Sequence, residues 1–148
     1  MSDLNFLNCE KYIIDKILEI KSLTSLIEKK NRVSQFRSEE TDAKIFKFGS
    51  LSSVEFNISI YEDEISVESF YLEKEYFMLT SFLHKNDSVS ASKYEEVLSS
   101  CRKSHSFQYR IDSQLNFIVD YINKCSDLKL VLEGKKWFNV LYDFGGMK

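Results

Sequence analysis

The stretch SVEFNISIYEDEISVES, residues 53–69, constrains the fold most, because apolar and polar residues alternate through it almost without a break. A helix would scatter that alternation round its circumference, whereas a strand sends successive side chains to opposite faces. The stretch therefore reads as two strands and a turn, with three acids, Glu62, Asp63 and Glu64, in the turn. A four-residue loop over Tyr61 to Glu64 pairs Ile60 with Ile65, Ile58 with Val67, Phe56 with Ser69 and Val54 with Tyr71 on a core face. The opposite face then pairs Ser59 with Ser66, Asn57 with Glu68 and Glu55 with Phe70, with Tyr61 at the tip. That second face is polar and acidic.

From Asn5 to about Lys30 the apolar residues Ile13, Ile17, Ile20, Thr24 and Ile27 recur at three- and four-residue steps, which predicts a long N-terminal helix capped by Asn5 or Asn8. Residues 31 to 43 read as a connection with a short extended piece at Val33 to Phe36, followed by a strand over Ile45 to Phe48 ended by Gly49. The run YFMLTSFLH, residues 76 to 84, reads as a further strand.

Ser92 and Glu95 have capping-box spacing and open a helix to about Lys103. Residues 107 to 111 are a strand or a connection, and Asp112 or Ser113 caps a nearly all-apolar helix through Leu115, Ile118 and Ile122, expected to be the most buried. LKLVL (128–132) and WFNVLYDF (137–144) read as a hairpin across Glu133 to Lys136, with a continuous helix through Trp137 as the rival; Gly145 to Lys148 should fray. The expected fold is one α+β domain over residues 1–148: a mainly antiparallel meander of three to five strands packed against the long N-terminal helix and two later helices.

Composition supports a self-sufficient core, since apolar residues make up 43% of the 148 and aromatics 14%. With no Pro and four Gly, turns must be built from Asn, Asp, Ser and Lys. The three cysteines, Cys9, Cys101 and Cys125, are far apart and odd in number, which fits a reducing compartment. Neither a signal-peptide pattern nor a membrane-length apolar run is present, so a cytosolic protein is expected. The weight on Lys, Ile, Asn, Ser and Phe would suit an AT-rich bacterial genome.

Chemistry-bearing motifs are few. His84 and His105 have no partner at metal or triad spacing, and no Gly-rich phosphate loop precedes a helix, so neither enzyme nor cofactor chemistry is expected. Cys101 and His105, four apart, are a candidate nucleophile–base pair against the plainer reading of a half-buried thiol and a surface imidazole. Arg102, Lys103, His105 and Arg110, interleaved with Phe107 and Tyr109, resemble the cation and aromatic mixture of single-strand RNA binders. A net charge of −3 opposes nucleic-acid binding.

The charge is unevenly placed: residues 55 to 75 hold seven acids and one base, a net of −6, which leaves +3 on the rest. One use for such acids is to block sheet-to-sheet association. The other is to steer a basic protein partner, with Glu55, Tyr61, Glu62, Asp63, Glu64, Glu68 and Phe70 as the recognition set. In being short, acidic and free of catalytic motifs the chain is similar to bacterial immunity proteins, a likeness that no residue motif carries. The expectation is an immunity- or antitoxin-type inhibitor that occludes the substrate surface of a basic, nuclease-like toxin, with no membrane or direct nucleic-acid partner. A secretion-type chaperone and an RNA-binding module are the alternatives.

Overall fold

The computed structural model describes residues 3–36, 39–104 and 106–138. Five strands form one antiparallel meander in the order β1 (Leu23–Phe36), β2 (Glu39–Ser50), β3 (Glu55–Tyr61), β4 (Val67–Leu72) and β5 (Glu75–Met78). A short helix α1 (Glu10–Ile17) precedes the sheet, and α2 (Leu79–Asn86), α3 (Ser88–Lys103), α4 (Phe107–Lys124) and α5 (Ser126–Leu132) follow it. The α+β class and the antiparallel meander thus hold.

β3 shows why one face became the core. Phe56, Ile58 and Ile60 are fully buried, while Glu55, Asn57, Ser59 and Tyr61 between them stay partly exposed. The buried row continues through Phe46 and Phe48 on β2, Phe70 on β4 and Phe77 on β5, and the helices close over it with Ile13, Ile17, Phe82, Leu115, Ile118 and Leu128. Phe70 stacks on Phe77 at 4.9 Å and meets Phe56 edge-on at 5.2 Å. Each such ring contributes about 1.5–3 kcal/mol by leaving water. α4 carries seven buried residues, among them the polar Arg110 and Gln114, and starts at the Ser106 cap, not at Asp112 or Ser113.

The long N-terminal helix is not formed. α1 ends at Ile17, and Asn123 of α4 holds the next turn, its side chain accepting from Lys21 N–H and donating to the Glu19 carbonyl, both at 2.9 Å. From Leu23 the chain is a strand, in which Thr24, Ser25 and Ile27 are better accommodated than in a helix. Asn5 and Asn8 cap the preceding turn instead, Asn5 Oδ1 accepting from Leu7 and Asn8 N–H. The segment 31–43, expected as a connection, belongs to β1 and β2 wherever it is described. β1 is an edge strand, protected by charged Glu28, Lys29, Lys30 and Arg32 and by irregular register near its start.

Three other boundaries move. Residues 76–84 split into the end of β5 and α2. α3 begins at Ser88, with Asp87 capping Ser90 N–H at 3.1 Å, earlier than the Ser92 box. LKLVL is helical in α5, not a strand, and the helix does not run on to Trp137: Gly134 at φ 78° lets Gly134 N–H reach Val131 O and Lys135 N–H reach Leu130 O. The part of the expected last hairpin beyond Phe138, the frayed end and His105 lie outside the described residues.

Candidate functional site

The β3–β4 turn is longer than a four-residue loop, and one residue changes every neighbour. β4 pairs as Phe56 with Phe70, Asn57 with Ser69, Ile58 with Glu68 and Ser59 with Val67. This is one step from the expected register, so Val67, Ser69 and Tyr71 face outward while Glu68 and Phe70 face the core. The cause lies outside the hairpin. Gln114 on α4 takes Ser66 N–H at 2.9 Å and donates to Ser66 O at 3.2 Å, which draws residue 66 out of the ladder. On the other limb Glu62 N–H donates to Asp42 O at 3.2 Å and Arg110 Nη2 donates to Glu62 O at 2.6 Å.

The seven expected recognition residues therefore divide. Glu62 and Asp63 are exposed and Glu64 is half-buried at the tip. Tyr61 lies partly exposed on the outer sheet face at the start of the turn. Glu55 shares that face at the far end of β3, roughly 20 Å away at about 3.3 Å per residue, and is ion-paired with Lys47 at 3.7 Å. Glu68 at 3% exposure and Phe70 at 0% are core residues, which corrects their assignment to the surface.

The turn's electrostatics are unusual in what Arg110 does. Its guanidinium, on a side chain only 7% exposed, donates to the carbonyls of Glu62 and Ser104 and packs near the Phe107 ring. Among the described residues no ion pair reaches the carboxylates of Glu62, Asp63 or Glu64. The turn is held through the Glu62 backbone, while Glu62 and Asp63 are exposed and Glu64 is half-buried.

Behind it lies a polar group that hydrophobic alternation hides. Tyr94 donates to Glu68 Oε1 and accepts from Gln114 Nε2 at 3.0 Å, so β4, α3 and α4 meet at one carboxyl. Burial pushes the Glu68 carboxyl up to about 8, against the lowering effect of the Tyr94 bond, so it is mostly neutral at pH 7. Its Oε2 has no hydrogen-bond partner among the described residues. The available signal was Gln114, a polar residue spaced between Ile111 and Ile118 on an apolar helical stripe.

Cys101 is buried, its Sγ 3.7 Å from the Arg110 carbonyl, and burial raises its thiol, which keeps it protonated and a poor nucleophile. Of the basic and aromatic cluster, Arg102, Lys103 and Tyr109 are exposed, while Arg110 is buried and Phe107 half-buried. Among the described residues no group of three or more His, Cys, Asp or Glu could hold a metal ion, and no helix is long and apolar enough to cross a membrane. In comparison with known proteins, no family model matches the chain, and no curated protein or solved structure matches it significantly.

Proposed function

We propose that the protein is a small binding protein of the immunity or antitoxin type, which neutralises a basic, nuclease-like protein by covering its substrate surface. One observation carries this reading: three consecutive carboxylates, unpaired among the described residues, stand on a turn whose backbone is fastened from two sides. Such a turn loses little freedom on binding, because its ordering is done by Arg110 and Asp42. A surface that holds phosphate must be electropositive, and Glu62, Asp63 and Glu64 are complementary to it in sign. Tyr61 beside them supplies an aromatic contact of the kind that anchors interfaces.

The test is the triple variant Glu62→Lys, Asp63→Lys, Glu64→Lys. Affinity for the basic partner should fall by roughly 100-fold at low ionic strength, the range that close interfacial charge pairs support, and its salt dependence should flatten. Unchanged affinity with an unchanged salt slope would overturn the reading.

A further inference from the structure

Ile65 and Ser66, which directly follow the acidic turn, form one side of a cavity of about 330 Å³ between β4, the start of α2 and α3. Its wall includes Met78 and Leu98, and Glu68 and Tyr94 also line it. We propose that this cavity receives the ammonium or guanidinium head of a lysine or arginine side chain from the basic partner, with Glu68 as its counter-ion. The inference rests on the reading above and adds the chemistry of one partner residue.

The volume is within the range of small-ligand sites. Its apolar wall suits an aliphatic stem, and Glu68, one of its lining residues, carries a buried carboxyl oxygen, Oε2, with no hydrogen-bond partner among the described residues. Tyr94, itself held by Gln114, donates to the other oxygen and thereby fixes the carboxyl. A buried polar atom left unpaired is costly, so a donor brought to Oε2 recovers energy that an apolar group could not.

The charged groups around the carboxyl come from three helices. α2 contributes His84, which lies 3.6 Å from Glu95 of α3; α3 also contributes Arg102, the phenol of Tyr94 and the buried thiol of Cys101; α4 contributes Gln114 and, behind the turn, Arg110. Arg102 opposes a cation at the rim. Glu95 and the three turn acids favour one, and Arg110 is engaged with carbonyls.

Binding is then a proton exchange. The neutral Glu68 carboxyl releases its proton to solvent, and the carboxylate that remains pairs with the incoming cation. Well below about pH 8 each cation bound should release close to one proton and affinity should rise about tenfold per pH unit, the rise slackening towards pH 8 and levelling above it.

The experiment titrates n-butylguanidinium into the 148-residue protein by calorimetry, in buffers of different ionisation enthalpy, so that released protons are counted. Binding with proton release and the rising slope is expected. Glu68→Gln should remove the slope and weaken binding about tenfold or more, as loss of a desolvated counter-charge does. Ser81→Leu, which narrows the cavity without touching the Glu68 network, should weaken binding and keep the slope, and it serves if Glu68→Gln does not fold.

No binding of the probe, a flat slope, or acetate binding that strengthens as pH falls would overturn the cation pocket. The two proposals fail separately. If the turn variant loses the partner while Glu68→Gln and the probe have no effect, only the pocket is wrong; if the probe binds with proton release and the turn variant keeps full affinity, only the turn is.

Discussion

Glu64 and Glu68 are four residues apart, and the structure treats them as opposites. Glu64 is half-buried beside the exposed Glu62 and Asp63, with no ion pair among the described residues, whereas Glu68 is buried beneath two helices and is mostly uncharged at neutral pH. A strand makes this contrast with a single step of register. Acidity along a hairpin is therefore not one property: the turn carries charge outward, and the strand after it carries a proton inward.

Breaking the buried side should have the largest effect. Phe70→Ala removes a fully buried ring stacked on Phe77 and should lower unfolding free energy by about 3–5 kcal/mol in urea denaturation. If Phe70 instead faced solvent, as the other register requires, the change would stay within about 0.5 kcal/mol.

Glu68→Gln separates the buried carboxyl from the turn acids through pH. The folded carboxyl titrates at about 8 against an ordinary value of 4.5, so the folded state holds its proton more tightly than the unfolded state. The stability it contributes is fully present below about pH 4.5 and is lost as pH rises to about 8, by up to roughly 1.4 kcal/mol per pH unit. Thermal unfolding of the wild type across that window should show the decline, and the amide variant should lose this component of it. Equal pH profiles for the two proteins would place the carboxyl in water.

A smaller effect is expected where the two sides are joined. Arg110→Met removes two charge-assisted bonds to carbonyls, one of them to Glu62, and should destabilise by about 2 kcal/mol and speed amide exchange in the turn. The smallest belongs to the turn itself: Lys at positions 62, 63 and 64 should change stability by no more than about 0.5 kcal/mol per site. A larger loss would mean that those carboxylates hold the fold together.

Much of the architecture was legible because it is local. The alternation in β3, the apolar stripe around Leu115 and the helix ending at Lys103 each follow from a period that neighbours in sequence reveal. The register of β4 was not, because Gln114, 48 residues from Ser66, sets it. The N-terminal helix was over-extended for a similar reason: isoleucines at helical spacing also suit strands, and the turn is held by Asn123 from over 100 residues away. LKLVL has no periodicity long enough to separate helix from strand, and Gly134 served as a helix stop, not as a hairpin turn. Within the expected recognition set, the exposure of Glu62 and Asp63 could be read because turns lie at the surface, while Glu68 and Phe70 depended on the unreadable register.

The measurement that bears most directly on the acidic turn is affinity capture from the source cells on the immobilised protein, at low and moderate salt, with wild type and the triple Lys variant side by side. If the turn is the recognition surface, wild type will retain a basic protein that moderate salt releases and the variant does not hold, and adding wild type will suppress that protein's nuclease activity. Recovery of the same proteins by both, or no inhibition of the captured protein, would contradict it.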